Sequence, residues 1–258
     1  MPSPKSILIT GASSGIGAAL ARAYAAPGRT LFLTGRSTRR LAEMARVCEE
    51  TGAVVQWRPL DVTDRAAMAA WIDEVDAQCP LDLLIANAGI SAGVGAGGES
   101  EAQARKIYAV NVDGAINTVE PAWARMVARS AGRVAIMSSL ASFYGFAGAP
   151  AYCASKAAVR LWGEELAETT GQAGGPQISI ICPGFVRTPM TEINRFFMPG
   201  LMDADEAARI IRRGLDAGQG RIAFPWTLYI GVRALAALPA WMSGPLTTGL
   251  PRKEQNGC

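Results

Sequence analysis

Six short apolar runs recur along the chain, at residues 7–10, 31–34, 54–57, 83–86, 134–137 and 178–181, each separated from the next by enough residues for a helix. That alternation restricts the chain to strand-helix repeats, and so to a parallel sheet with helical crossovers. The runs, such as Ile7-Leu8-Ile9 and Leu83-Leu84-Ile85, are apolar at successive positions. A strand needs that only when both faces of its sheet are covered. The expected fold class is a doubly wound α/β fold. Helices are expected over residues 18–26, 40–50, 65–77 and 101–129, and Asp203 and Glu206 have capping-box spacing ahead of another.

The 258 residues contain no linker and no internal repeat, so one domain is expected. Half of them are hydrophobic and 18% are charged, which is ample for a large core. Lys and Arg are scattered and the net charge is +3, so the footprint of a nucleic-acid binder is missing. The five cysteines stand at wide, irregular spacing that suits neither a disulfide framework nor a zinc site. With no histidine, Ser-His-Asp triads, Cys-His dyads and histidine-based metal sites are excluded. No metal is expected. The first strand begins almost at once, leaving no room for a signal peptide, and the chain is expected in the cytoplasm.

The first run leads into Thr10-Gly11-Ala12-Ser13-Ser14-Gly15-Ile16-Gly17 and then Ala18-Ala19-Leu20. A glycine-rich turn from strand into helix presents backbone N–H groups and the positive helix end to a pyrophosphate. Without its context, the same turn is only a tight bend. The second run ends in Thr34-Gly35-Arg36-Ser37, where a NAD site would carry an acid for the ribose 2′-OH. Gly35 leaves that position empty. Arg36 instead suits a 2′-phosphate, with Ser37 as an extra donor, which favours NADP(H); its alternative is a solvated charge before a helix. Asp61-Val62 follows the third run and Asn87-Ala88-Gly89 the fourth, at strand ends where ligands of open α/β sheets sit. Asp61 is a candidate acceptor for an adenine amino group and Asn87 a candidate organiser beneath the cofactor, although both residue types also begin helices and turns.

Ser139 ends the fifth run, and thirteen residues later comes Tyr152-Cys153-Ala154-Ser155-Lys156. If Tyr152 opens a helix, Lys156 lies on the same face at i+4, and its ammonium is expected near the phenol. Bringing a tyrosine from pH ~10 to ~7 takes roughly 4 kcal/mol of extra stabilisation of the phenolate. A cation and a positively charged nicotinamide are candidate sources. A Tyr-x-x-x-Lys pair standing alone is more often a solvated helix face.

Taken together, these segments over about residues 5 to 190 resemble the short-chain dehydrogenase/reductase family, with its Rossmann fold and Thr-Gly-x-x-x-Gly-x-Gly loop. Asn87-Ala88-Gly89 is similar to the family's sheet-stabilising motif, and Asn111 in Tyr108-Ala109-Val110-Asn111-Val112 to its structural and catalytic asparagine. Ser139, Tyr152 and Lys156 match the rest of its tetrad. Pro183-Gly184-Phe185-Val186-Arg187-Thr188 resembles the segment that meets the nicotinamide carboxamide through the backbone at Val186 and the hydroxyl of Thr188. The resemblance implies hydride exchange between NADP(H) and a carbonyl or secondary alcohol. It casts Tyr152 as general acid and base, Ser139 as the group that polarises the substrate oxygen, and Lys156 as the residue that lowers the tyrosine pKa and binds the nicotinamide ribose. Asn111 would support a proton-relaying water. A homodimer or homotetramer is also implied, with residues 101–129 and 151–168 as candidate contacts.

Residues 190–225 are expected to cover the substrate, with Phe196-Phe197-Met198 lining an apolar pocket or filling a core turn. Arg195 is either a partner for a substrate carboxylate or a solvated charge. The tail, residues 226–258, is apolar with tryptophans near both ends of its first part, and is too short and interrupted to span a bilayer. Its candidate partners are the domain edge, another subunit, or a membrane surface, and its last six residues are expected to fray. Two rivals to a soluble reductase stand beside it: a non-catalytic NADP-binding sensor, and a peripheral-membrane reductase of lipid carbonyls. A lyase or epimerase on a related fold would need a larger second domain than this chain offers.

Overall fold

A computed structural model describes residues 3–93, 98–145, 148–171, 175–194 and 196–247. Strands β1 (Ser6–Thr10), β2 (Thr30–Gly35), β3 (Val54–Pro59), β4 (Leu83–Ala86), β5 (Arg133–Met137) and β6 (Gln177–Pro183) fall on the six apolar runs. A short pair, β7 (Val186–Arg187) with β8 (Met202–Asp203), lies outside the main sheet, and β9 (Arg221–Phe224) completes that sheet in the order β3-β2-β1-β4-β5-β6-β9. All of its pairings are parallel.

Alternate residues of the same strand feed two different cores. Ile7, Ile9, Leu31, Leu33, Leu83 and Ile85 belong to one cluster, whereas Leu8, Phe32, Leu84, Val134 and Ile136 belong to the other. Two covered faces are why the strands carry no polar alternation. The first core includes buried residues of α1 (Gly15–Tyr24), α2 (Thr38–Glu49) and α8 (Ala204–Asp216); the second includes those of α3 (Arg65–Gln78), α5 (Gly114–Ala128) and α6 (Pro150–Gly171). Side-chain caps start three of the helices: Ser37 accepts from the Arg40 N–H, Asp64 from Ala67, and Ser100 from Gln103 at the start of α4 (Glu101–Tyr108).

Three expectations are corrected by packing. The stretch 101–129 is α4 and α5 joined through a π turn at Ala109–Asp113, which turns Asn111 into the interior, where it is 1% exposed. Asp203 does precede α8, but its side chain makes no cap there; Arg187 Nε donates to it at 2.9 Å across the β7–β8 pair. Within residues 190–225, α8 contacts α1 and β9 belongs to the main sheet, so the part left to cover the cleft is shorter than expected. In this stretch the cleft is lined by Pro189, Met190 and Thr191 of α7 (Pro189–Glu192). Beyond β9 the chain forms α9 (Trp226–Ala237) and α10 (Ala240–Thr247). The final residues 248–258, expected to fray, lie outside the described residues.

Candidate active site

The chain order reverses between β1 and β4, and there the carboxyl ends of the strands open into a cleft of about 250 Å³. One wall is the glycine loop. Gly11 and Gly15 have φ of +68° and +56°, a region that side chains with a Cβ rarely adopt. Gly17 is needed for a different reason: a Cβ there would run into the Gly11 carbonyl and stand 2.5 Å from Asn87 Nδ2. The loop delivers the chain into α1, whose N-terminus has no side-chain cap hydrogen bond and no acidic residue in its first turn. Its first N–H groups are therefore free of local acceptors, as an anion site requires.

Asn87 holds this loop from below. Its Nδ2 donates to the Thr10 carbonyl at 2.9 Å, and Thr10 Oγ1 accepts from the N–H groups of Asn87 and Ala88 at 3.0 and 3.1 Å. Asp61 lines the cleft after β3, its Oδ1 accepting from the backbone and hydroxyl of Thr63 at 3.0 and 2.9 Å. The Thr63 backbone hydrogen bond in particular holds its carboxyl below the usual range.

At the far end, Ser139, Tyr152 and Lys156 share the same cleft. Lys156 is 4% exposed, and its Nζ donates to the Met137 carbonyl at 2.9 Å while standing 6.0 Å from the centre of the Tyr152 ring. Burial pulls its pKa down to about 8. Burial also pushes the Tyr152 phenol up from 10, against an opposing hydrogen bond with Ser139. In this arrangement burial outweighs that hydrogen bond, and the phenol stays above its ordinary value. Tyr152 is thus a neutral phenol at pH 7. Behind them, Asn111 Oδ1 accepts from Ile90 N–H at 2.8 Å, and its Nδ2 donates to the Ile90 carbonyl at 2.9 Å and to Ser155 Oγ at 3.0 Å. Ser155 Oγ donates in turn to the Tyr152 carbonyl, so Asn111 ties the loop after β4 to the helix that carries Tyr152.

The buried lysine has a consequence for stability. Its folded pKa lies below its unfolded value near 10.5, so between about pH 8 and 10.5 the unfolded chain binds more protons and this group's contribution to stability rises with pH. Below pH 8 its burial penalty is fully present. Relative to wild type, Lys156→Met is therefore expected to be more favourable at pH 7 than at pH 10.5 by roughly 2–3 kcal/mol, read from paired urea titrations. A pH-independent difference would show that Lys156 titrates normally.

Most of the expected site residues meet in this cleft: Gly11, Ser13, Ser14, Gly15, Ile16, Arg36, Asp61, Val62, Asn87, Ala88, Gly89, Ser139, Tyr152, Lys156, Pro183, Gly184, Val186 and Thr188 all line it. Three do not. Gly17 packs beneath the loop, Ser37 caps α2, and Asn111 is buried behind Ile90. Thr188 and Val186 are engaged locally by Thr191, whose hydroxyl accepts from Thr188 N–H at 2.9 Å and donates to the Val186 carbonyl at 2.6 Å. Phe196-Phe197-Met198 does not line the cleft: Phe196 packs on Phe185 with ring centres 6.0 Å apart, and Phe197 is 83% exposed. Met190 lines it instead. Arg195 lies outside the described residues. The residue most clearly missed is Arg40, in the first turn of α2, which lines the cleft with Arg36. Among the described residues, Cys48, Cys79, Cys153 and Cys182 form no disulfide. Among the described residues no group of three or more His, Cys, Asp or Glu is placed to hold a metal ion.

Comparison with known proteins agrees with this geometry. Residues 5–196 match the family model for short chain dehydrogenases. An uncharacterized oxidoreductase of Myxococcus xanthus is 36% identical over 236 residues, covering 91% of this chain and 93% of that protein. Among solved structures, a short chain dehydrogenase/reductase from Burkholderia phymatum in complex with NAD superposes with a TM-score of 0.81 at 25% identity, covering 89% of this chain and 92% of that one. A short-chain dehydrogenase from Sphingobium yanoikuyae in complex with NADPH gives 0.78 at 25% identity, over 91% of this chain and 96% of that one. With the glycine loop, the Asn87 support and the Ser139-Tyr152-Lys156 end all in one cleft, the chain belongs to the short-chain dehydrogenase/reductase family of oxidoreductases.

Proposed function

We propose that this oxidoreductase reduces an apolar ketone or aldehyde with NADPH, or runs the reverse oxidation, using Tyr152 as its proton donor and acceptor. The observation that carries the reading is that one cleft joins an uncapped helix N-terminus, two arginines and a Ser-Tyr-Lys group. The cleft suits a dinucleotide: Gly11 and Gly15 turn the chain at positive φ into α1, and Ser13 to Ile16 line the site at the helix end. Bound nicotinamide supplies or accepts the hydride. Arg36 and Arg40 hold the 2′-phosphate, Asp61 meets the adenine end, and Lys156 holds the nicotinamide ribose once released from Met137. Ser139 Oγ orients and polarises the substrate oxygen. The Tyr152 hydroxyl, neutral at pH 7, gives its proton to that oxygen in reduction, and its phenolate takes the alcohol proton in oxidation. A phenol held above its ordinary pKa keeps the proton that reduction requires it to give.

Cofactor choice is tested by titrating the wild type and Arg36→Ala with NADPH and NADH, following nucleotide fluorescence. A charge-assisted pair of about 2–3 kcal/mol implies that Arg36→Ala weakens NADPH binding about 30- to 150-fold and leaves NADH within about twofold. The double variant Arg36→Ala, Arg40→Ala should bind both alike. Equal or tighter NADH binding by the wild type would make the chain an NAD-linked enzyme.

A further inference from the structure

Helix α9 turns an apolar stripe outward. Trp226, Ile230, Ala234 and Ala237 share one side by helical spacing, and all four are exposed, Trp226 at 69% and Ile230 at 55%. Trp241, 77% exposed, and Met242 continue the stripe in α10. The opposite side of α9 is also apolar and is packed: Val232 is buried, and the Tyr229 ring meets Phe143 with centres 5.3 Å apart. A helix on the surface of a water-soluble domain ordinarily presents polar residues outward. The sequence expectation that this tail packs on the domain edge therefore accounts for only one of its sides.

We propose that the outward stripe of α9 and α10 seats the protein on an anionic lipid bilayer, lying in the headgroup region without crossing. Three observations select this occupant. Tryptophans stand at both ends of the stripe, the side chains most suited to the boundary between headgroups and acyl chains. Between Asp216 and Glu254 the sequence has no acidic residue, and with Arg221 paired to Glu164 the remaining cations of that interval are Arg233, Arg252 and Lys253, a charge balance complementary to an anionic surface. Among the described residues no helix is long and apolar enough to span a membrane, so docking along the surface is the mode open to it. A two-fold contact with a second copy fits less well. It would leave the cations of the tail, Arg252 and Lys253 among them, without the acidic partners that an anionic surface supplies.

The same helix borders the cleft. Leu228 Cδ2 lies 3.1 Å from where a Cβ on Gly184 would stand, and Gly184 lines the cleft wall. If the cleft is the carbonyl site assigned above, on which this last step rests, docking sets its wall beside the lipid, and an apolar carbonyl can enter from the membrane.

The test is co-flotation of the full chain with vesicles of phosphatidylcholine alone and of phosphatidylcholine with roughly one-quarter phosphatidylglycerol, alongside tryptophan emission. The wild type should float with the anionic vesicles, with blue-shifted emission, and at least about tenfold less should float with the neutral ones. Trp226→Ala combined with Trp241→Ala should lose that binding by about tenfold or more while keeping the wild-type melting temperature and nucleotide affinity; Ile230→Glu is the second variant should the first misfold. Wild type that stays with the dense fraction in both mixtures, or variants that float as well as wild type, would overturn the proposal. So would variants that drop to a smaller oligomer by light scattering in a protein that never floats, because the stripe would then be a subunit contact. None of these readings uses turnover, so failure of docking and failure of the carbonyl-reductase assignment are separate results.

Discussion

Tyr152→Phe is expected to lower kcat for carbonyl reduction by about three orders of magnitude while leaving NADPH affinity within about twofold. Ser139, Tyr152 and Lys156 share the end of the cleft, but only the first two carry hydroxyls that can meet a substrate oxygen, and Lys156 Nζ is held by Met137. Phenylalanine preserves the ring and its burial and removes only the transferable proton. The lost hydrogen bond with Ser139 changes stability by about 1 kcal/mol, so the protein should remain folded and the rate loss can be assigned to chemistry. Measurement of single-turnover hydride transfer together with nucleotide binding separates the two effects. Residual activity above one-tenth of wild type would remove Tyr152 from the proton-transfer role and leave Ser139 or solvent as the donor. If both kcat and NADPH binding collapsed, the tyrosine would instead be holding the site together.

The second large effect is expected at Gly17, a residue that lines no part of the cleft. Alanine there places its Cβ against the Gly11 carbonyl and 2.5 Å from Asn87 Nδ2. Neither neighbour can yield easily: Gly11 is fixed at positive φ, and Asn87 Nδ2 is bonded to the Thr10 carbonyl. The loop must move off β4, with an overpacking penalty of about 3 kcal/mol. For a chain of this size that lowers the melting temperature by roughly 6–12 °C. Nucleotide affinity should fall by about a hundredfold or more, because the N–H groups of the α1 terminus would be displaced from their aim. A variant with normal melting and normal NADPH binding would mean that the loop is loose and the close packing of Gly17 is immaterial. The Arg36 variant provides the contrast, since it should weaken NADPH without destabilising the fold.

What was legible in the residues was whatever depends on neighbours in the chain. Six strands, the α/β class, the glycine loop and the i+4 pairing of Tyr152 with Lys156 all follow from local periodicity and turn chemistry, and the observed strands lie on the runs that announced them. That Arg40 joins Arg36 at the cleft depends on how the chain turns into α2 at Ser37, which residue spacing does not show. Other features had no local signal. Residues 221–224 are too few and too mixed to look like a strand, and they become one because the edge of β6 is there to pair with, from Ile180 against Arg221 to Pro183 against Phe224. The π turn that buries Asn111 leaves no mark in an otherwise continuous helical pattern. Asp203 had the spacing of a cap, and Arg187, sixteen residues away, claimed it.

The same division runs through the site. The sequence by itself determined which chemical groups exist and in what order, because glycines at a strand end, a phenol one turn before an amine and the absence of histidine are properties of short segments. Only the tertiary structure decided what those groups do to one another. It brought the carboxyl ends of β1, β4, β5 and β6 together, set the Lys156 ammonium on the Met137 carbonyl 6.0 Å from the Tyr152 ring centre, moved Phe196 away from the cleft onto Phe185, and left the tryptophans of α9 and α10 facing outward. Burial, direction and charge environment are set by residues far apart in the chain, and they exist only once the chain has packed.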